Sequence, residues 1–285
     1  MAATLPFTYI AFAVEIPLMG LALGTVVLRV WSRLAVKGRL AVDDGVLLLG
    51  TGCAIVRTII SCTSAVDPVG YDRKGPDEAY EVVFYQHIFE RRLAYLLAVT
   101  LVRISILASY LRIFPVTLVT LRQCCYALFV LTVALFVAVL SVLVASCSDI
   151  YKLWTPYWRT FSGSHCFSSP AYSYTAAVGD SVTDLCIFVL PIPFVLSLTQ
   201  VRMRQRFTLV VVFALGVLVC GVALVQLPFI MRRQKHTMYF GSMINVLVAI
   251  QISLAIVAAS LPDLRALVMR VRKQRKDSSS SEGVG

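Results

Sequence analysis

The chain has 285 residues, of which 59% are hydrophobic and 14% charged, and its mean hydropathy is +0.82. Soluble globular chains are about 45–50% apolar and about 25% charged, so this composition excludes a soluble enzyme. The formal net charge is +11, but the basic residues lie in short blocks between apolar runs, where they orient helices across a membrane. A nucleic-acid partner is therefore not expected.

Apolar runs separated by charged or polar breaks predict seven membrane-spanning helices. A helix needs about 20 predominantly apolar residues to cross roughly 30 Å of hydrocarbon. The sequence therefore predicts an all-α, polytopic membrane protein, with a seven-helix transmembrane domain over residues 1–264. The predicted spans, in chain order, are 7–28, 45–61, 93–111, 126–144, 172–198, 207–230 and 240–261.

Local signals mark the ends of two predicted helices. Asp43 and Asp44 precede the second and shortest span, and carboxylates are favourable at the amino end of a helix. Pro191 and Pro193 lie in the last turns of the fifth span. Each proline removes a backbone hydrogen-bond donor, so we expect the fifth helix to bend or break there.

The distribution of Lys and Arg predicts an outside amino terminus and a cytoplasmic carboxyl terminus. In this orientation the cytoplasmic segments hold 15 Lys and Arg residues and the outer segments hold nine. The first basic residue is Arg29, so no basic segment typical of a cleaved signal peptide precedes the first span. Residues 265–285 are basic and then rich in Ser and Gly, which predicts a disordered cytoplasmic tail. Either the plasma membrane or an endomembrane fits this topology.

Cysteines and histidines are the candidate residues for a disulfide and for a metal site. Cys147 and Cys166 fall in the predicted outer loop between the fourth and fifth spans, where an oxidising environment favours a disulfide between them. Two free thiols are the alternative. His87, His165 and His236 are placed in outer loops and show no ligand-like spacing, so no metal site is predicted.

Five charged side chains lie inside the predicted spans. A charge in hydrocarbon is costly, so such residues normally face the interior of the bundle and pair with one another. Two glutamines add uncharged polarity on the sixth and seventh spans. Together these side chains predict a polar pocket that opens outward. They are Glu15, Arg57, Arg103, Asp180, Asp184, Gln226 and Gln251.

The two aspartates of the fifth span are the candidate catalytic residues. Asp180 and Asp184 are four residues apart on one helical face, and like charges that close do not both ionise cheaply. We expect Arg57 or Arg103 to neutralise one of them, with Glu15 as a further charge partner. A carboxyl that stays protonated is the general acid that an epoxide-opening or isoprenoid-cyclising membrane enzyme needs. The alternative is an ion-pair network that only orients helices.

Motifs for common cofactors are missing from the sequence. The seventh span contains no lysine, so a retinal Schiff base is excluded. We find no phosphate-binding loop, dinucleotide fingerprint, zinc-protease motif or paired acidic diphosphate motif. No cofactor is predicted, and the expected partners are the lipid bilayer and a hydrophobic small-molecule substrate or ligand.

Several short motifs follow one another along the chain in the order typical of one family. They are Arg39 to Asp44, Arg103 to Leu107, Tyr110 to Pro115, Cys147, Trp154, Gly163, Cys166, Asp184, Leu190 to Pro193, and Ser260 to Arg265. In this order they resemble the fungal rhodopsin-like integral membrane proteins, of the satratoxin biosynthesis cluster protein four type. The resemblance runs from the first span to Leu267 and implies a seven-helix bundle from a fungal source.

The resemblance also implies a gene in or near a secondary-metabolite cluster. The chain departs from the family pattern at three positions: Arg103 replaces the usual lysine, Asp180 a frequent asparagine and Gln251 a frequent glutamate. Two functions stand as hypotheses. The first is a membrane protein of a mycotoxin-like pathway that acts on or handles a hydrophobic intermediate, as a cyclase, an isomerase or a transport accessory; the short ends of the chain favour it. The second is a receptor-like membrane sensor.

Overall fold

The computed structural model describes residues 5–38, 40–74, 78–113, 118–145, 170–191, 203–232 and 243–261. Nearly all of these residues are helical, and no strand occurs among them. The helices, numbered in chain order, are α1 (Leu5–Lys37), α2 (Val42–Lys74), α3 (Glu78–Ile113), α4 (Val119–Ala145), α5 (Pro170–Val189), α6 (Met203–Arg232) and α7 (Met243–Leu261).

Five of the described helices, α1, α2, α3, α4 and α7, are long and apolar enough to cross a membrane, and α6 contains a shorter apolar stretch. The most apolar of them is α4, whose large side chains are mostly exposed, as in Val130 at 66%. An apolar helix that is not covered by protein is typical of a surface that faces lipid tails. The predicted all-helical membrane bundle is confirmed at this level, and the orientation of its ends stays a prediction.

Several helices extend beyond the predicted spans, most of all α2 and α3. The second predicted span ends at Ser61, but α2 continues to Lys74, and α3 begins at Glu78, well before the third predicted span. Hydropathy marks only the part of a helix that lies in hydrocarbon, whereas a helix can continue into water with its backbone bonds intact. His87, predicted in a loop, therefore lies on α3, where its Nδ1 is 3.5 Å from the Glu90 carboxylate.

The turn between α1 and α2 is built by local signals. Gly38 adopts a φ of +67° after the end of α1, a conformation that glycine reaches without a clash at Cβ. At the start of α2, the Asp44 carboxylate accepts a hydrogen bond from the Ala41 N–H at 3.1 Å. This contact satisfies one of the donors that a helix amino end leaves without an intrahelical partner.

The end of α5 lies where the prolines predict a break. The helix ends at Val189, and the Leu190 N–H still bonds to the Cys186 carbonyl at 3.1 Å. Pro191 follows with no N–H to continue the series. Pro193 lies outside the described residues.

Glycines allow helices to approach closely at two places. A Cβ added at Gly50 on α2 would lie 3.1 Å from the Cβ of Leu101 on α3. A Cβ added at Gly216 on α6 would lie 2.4 Å from Cγ and 2.6 Å from Cβ of Phe188 on α5. Real Cβ atoms essentially never come that close to a neighbour, so α5 and α6 form a pair whose spacing depends on Gly216.

Two predictions fall outside the described residues. These are the Cys147 to Cys166 disulfide and the disordered tail over residues 265–285. The six cysteines that the structure does describe are free thiols on α2, α4, α5 and α6.

Candidate functional site

The buried charged side chains of the described helices, with the polar residues that bond to them, fall into three groups. We name them by their residues: the Arg103 chain (Arg103, Asp180, Asp184, Gln251, Gln226), the Glu15–Arg57 pair (Glu15, Arg57, Ser61) and the Arg29 cluster (Arg29, Arg33, Asp43, Asp44, Ser105, Ser109, Arg112). The first two groups contain every charged and glutamine residue that the sequence predicts for the site. The third was not predicted as a site.

In the Arg103 chain, one guanidinium on α3 binds both aspartates of α5. Arg103 Nε donates to Asp184 Oδ1 at 2.8 Å, and Nη1 donates to Asp180 Oδ1 at 2.7 Å. Arg103 Nη2 also donates to the Asp180 carbonyl at 3.0 Å. The spacing of four residues places both carboxylates on one face of α5, within reach of a single arginine.

The hydrogen bonds of the Arg103 chain continue from α5 through α7 to α6. Gln251 Nε2 on α7 donates to Asp184 Oδ2 at 3.2 Å, and Gln226 Nε2 on α6 donates to Gln251 Oε1 at 2.9 Å. Both carboxylate oxygens of Asp184 are therefore bonded, one to a cation and one to an amide. Because the side chains are buried, these bonds are stronger than they would be in water. Polar contacts thus link α3, α5, α7 and α6 directly.

The Glu15–Arg57 pair joins α1, α2 and α7. Arg57 Nη1 lies 3.6 Å from Glu15 Oε2, and the Ser61 hydroxyl donates to Glu15 Oε1 at 3.0 Å. Arg57 Nη2 donates to the Asn245 carbonyl on α7 at 2.7 Å. Of the two predicted partners of the aspartates, Arg103 makes the contacts, and Arg57 binds Glu15 instead.

The structure therefore divides the predicted single pocket into two polar groups. Tyr95 on α3, which the sequence does not single out, is close enough to interact electrostatically with Arg57, Arg103, Asp180 and Asp184. The Glu15–Arg57 pair and the Arg103 chain are therefore neighbours. The rotation of α2 relative to α3 decides which arginine meets which acid, and that rotation is not encoded in hydropathy.

The Arg29 cluster lies where the turn between α1 and α2 meets α3 and α7. Arg29 Nε donates to Asp44 Oδ1 at 2.9 Å, and Nη2 donates to Asp43 Oδ2 at 3.0 Å. Arg29 Nη1 donates to the Ala259 carbonyl on α7. One turn further along α1, Arg33 Nη2 donates to Asp43 Oδ2 at 2.7 Å.

Side chains of α3 complete this cluster. The Ser109 hydroxyl donates to Asp43 Oδ2 at 3.1 Å, and the Ser105 hydroxyl donates to the Asp43 carbonyl at 2.8 Å. Arg112 Nη1 lies 3.3 Å from Asp43 Oδ1. The Arg29 side chain is only 1% exposed, so a residue that enters the sequence prediction only through the count of cytoplasmic Lys and Arg is buried in an ion-pair network.

A narrow cavity adjoins the Arg103 chain between α3, α5 and α7. It has room for about one water molecule. Its walls are Val99, Val102, Arg103, Ile106, Asp184, Ile187, Phe188, Gln251, Ile252 and Ala255. Sites for drug-sized ligands occupy about 300–1,000 Å³, so this cavity does not hold such a ligand in the conformation described. An acid or base role for Asp180 and Asp184 stays a prediction.

Comparisons with known proteins cover most of the chain. A family model described as fungal rhodopsin domain matches residues 28–270. The receptor GIN3 of Arthrobotrys oligospora is 27% identical over 274 residues, an alignment that covers 93% of this chain and 63% of the receptor. The chain therefore matches less than two thirds of that relative's length. No solved structure matches the chain.

Proposed function

We propose that this chain, which belongs to the fungal rhodopsin domain family, acts as a receptor-like membrane sensor. The observation that carries the proposal is the Arg103 chain, because it joins four helices through one buried set of contacts. A relative from Arthrobotrys oligospora bears the name of a receptor, which also favours this function. The sensor was the second hypothesis from the sequence and becomes the first.

Contacts of this kind suit a two-state element. Asp184 accepts from both Arg103 and Gln251, so movement of α5 relative to α3 or α7 breaks at least one charge-assisted bond. A ligand shifts such an equilibrium by binding one arrangement more tightly than the other. The ligand in this proposal is a small hydrophobic molecule that widens the cavity, since most of its lining side chains are apolar.

The pathway protein that handles a hydrophobic intermediate remains a second candidate. One observation favours it: the Asp180 side chain is 18% exposed, whereas most of the Arg103 chain is nearly inaccessible. A partly exposed carboxylate is accessible to a substrate as a general base. This function requires the cavity to open much further than it does in the conformation described.

Gene deletion and complementation in the source organism separate the two functions. For a sensor, we expect deletion to change transcript levels, with metabolites changing only as their transcripts do. Complementation with Asp184→Asn is expected to reproduce the deletion at near-normal abundance. Loss of a charge-assisted bond worth about 1.5–3 kcal/mol shifts a two-state equilibrium by about tenfold to a hundredfold.

The matched control is Val130→Ala on the exposed face of α4, which we expect to complement fully. Membrane abundance, transcripts and metabolites are measured in the same cultures. Accumulation of a pathway precursor with unchanged transcripts would contradict the sensor and support the second candidate.

The proposed topology has the amino terminus outside and the tail in the cytoplasm, as the distribution of Lys and Arg predicts. Epitope tags at the two ends, probed with protease in sealed vesicles of known orientation, test it. We expect the carboxyl-terminal tag to be cleaved only from the cytoplasmic side. A tail tag cleaved only from the exterior would reverse the orientation and move Cys147 and Cys166 to a reducing compartment.

A further inference from the structure

Two atoms of the Glu15–Arg57 pair have no hydrogen-bond partner among the described residues. They are Glu15 Oε2 and Arg57 Nε, and both are buried. The two side chains are only 1% and 2% exposed, respectively. Nearly all buried polar atoms in folded proteins are hydrogen-bonded, so each exception calls for an explanation, of which a bound water molecule or other polar group is one.

The remaining polar atoms of the pair define what is missing. Glu15 Oε1 is bonded to Ser61, and Arg57 Nη2 is bonded to the Asn245 carbonyl. The 3.6 Å from Arg57 Nη1 to Glu15 Oε2 is an ion-pair distance that is too long for a hydrogen bond. Among the fully buried atoms of the pair, one acceptor, Glu15 Oε2, and one donor, Arg57 Nε, are left without a hydrogen-bond partner, and the opposite formal charges of the two side chains cancel.

We propose that Glu15 and Arg57 bind the hydroxyl group of an uncharged molecule. The hydroxyl donates its proton to Glu15 Oε2 and accepts a hydrogen bond from Arg57 Nε. A hydroxyl is both donor and acceptor, so it satisfies both atoms. A carbonyl offers no proton to Glu15, whereas an ammonium or a carboxylate leaves one atom without a partner and brings an unbalanced charge into the bundle.

The hydroxyl has two sources with the same chemistry, a water molecule or an alcohol carried by a lipophilic ligand. This site lies between α1, α2 and α7, whereas the cavity beside Asp184 lies between α3, α5 and α7. The proposal therefore goes beyond the sensor function and does not depend on it.

Infrared spectroscopy of the purified protein in lipid films at controlled humidity tests the site. Spectra of the wild type are recorded in H₂¹⁶O, H₂¹⁸O and D₂O, and are compared with those of Glu15→Leu/Arg57→Met. The double variant replaces the ion pair with apolar side chains of similar size, a change that buried ion pairs often tolerate. We expect an O–H stretching band in the wild type that the double variant lacks.

The isotope effects identify the source of the hydroxyl. A band that shifts in H₂¹⁸O belongs to water. A band that shifts only in D₂O and persists in Ser61→Ala belongs to an alcohol, which extraction and mass spectrometry then identify, whereas a band lost in Ser61→Ala belongs to the Ser61 hydroxyl bonded to Glu15 and counts against the proposal. Gln226→Leu, a variant of the Arg103 chain, is the control and is expected to keep the band. Identical spectra of the folded wild type and double variant would overturn the proposal.

The single variant Glu15→Gln keeps the test decisive where the double variant does not accumulate. It replaces a carboxylate acceptor with a neutral amide of the same shape, so the hydroxyl donates to a weaker acceptor. Both proteins, with and without Glu15→Gln, carry Ser61→Ala, which removes the other hydroxyl bonded to Glu15, and we expect the O–H band of the Glu15→Gln variant to move to higher frequency. An unmoved band in this variant would also overturn the proposal.

Discussion

Alanine at Gly216 is expected to destabilise the protein, because it overpacks the contact between α5 and α6 at a cost near the upper end of the usual range of about 1–3 kcal/mol. The added Cβ would lie 2.4 Å from Cγ and 2.6 Å from Cβ of Phe188. Rotation of the Phe188 side chain moves the ring but not its Cβ, so the two backbones must separate. The gain in helix propensity from Gly to Ala, about 1 kcal/mol at most, offsets only part of this loss.

The same helix provides the matched control for this substitution. A Cβ added at Gly221 meets no atom within 4 Å, so Gly221→Ala is expected to be neutral or slightly stabilising. The measurement is the apparent Tm of both variants in one detergent, with membrane abundance alongside. Equal Tm values for Gly216→Ala and Gly221→Ala would show that α5 and α6 do not depend on their close contact.

Separation of α5 from α6 has a consequence for the cavity. Phe188 on α5 packs against Gly216 on α6, and it also lines the cavity beside Asp184. A backbone shift at this contact therefore changes the walls of the cavity and the position of Asp184 together. In the proposed sensor, packing of α5 on α6 and polar contacts of α5 with α3 both hold α5 in place.

The sequence predicts the bundle well because apolar runs can be located along the chain without any knowledge of how the helices pack. Apolar runs report where a helix crosses hydrocarbon, and charged residues inside those runs report which side chains face the interior. Glu15, Arg57, Arg103, Asp180 and Asp184 were identified on this basis. The sequence leaves Arg57 and Arg103 as alternative partners of the aspartates, because a pairing depends on how helices rotate about their axes relative to one another.

The three departures from the family pattern meet in the Arg103 chain. Arg103 contacts Asp180, and both Arg103 and Gln251 contact Asp184. Relative to the pattern that the resemblance describes, an acid is gained at 180 and lost at 251, so the formal charge of the chain of contacts is the same. Three positions that look unrelated in the sequence therefore vary within one set of contacts.

The Arg29 cluster shows that the distance of a basic residue from a predicted span does not by itself decide whether the residue is exposed. Basic residues near helix ends set the orientation of helices across the membrane, and Arg29 and Arg33 enter the prediction as two of the cytoplasmic basic residues. The available signal was their spacing of four residues on α1, followed closely by Asp43 and Asp44. Long side chains at that spacing reach the same pair of carboxylates once a short turn folds α2 back along α1.

This cluster carries the largest expected loss of stability from a single charge, at Asp43. Asp43 binds Arg29, Arg33 and Arg112 and accepts from Ser109. Asp43→Asn leaves buried guanidinium groups with too little opposing charge, which typically costs about 3–5 kcal/mol. We therefore expect Asp43→Asn to reduce membrane abundance severely and to lower the apparent Tm of the remainder.

Removing positive charge from the same cluster distinguishes a buried ion network from a general sensitivity of this region. Arg112 is 42% exposed, so Arg112→Gln is expected to cost at most about 1 kcal/mol. Arg33→Met combined with Asp43→Asn removes one cation for the one lost anion, and we expect this double variant to be more stable than Asp43→Asn alone. Residues in one ion-pair network couple by about 0.5–3 kcal/mol, so simple addition of the two single losses would contradict the network.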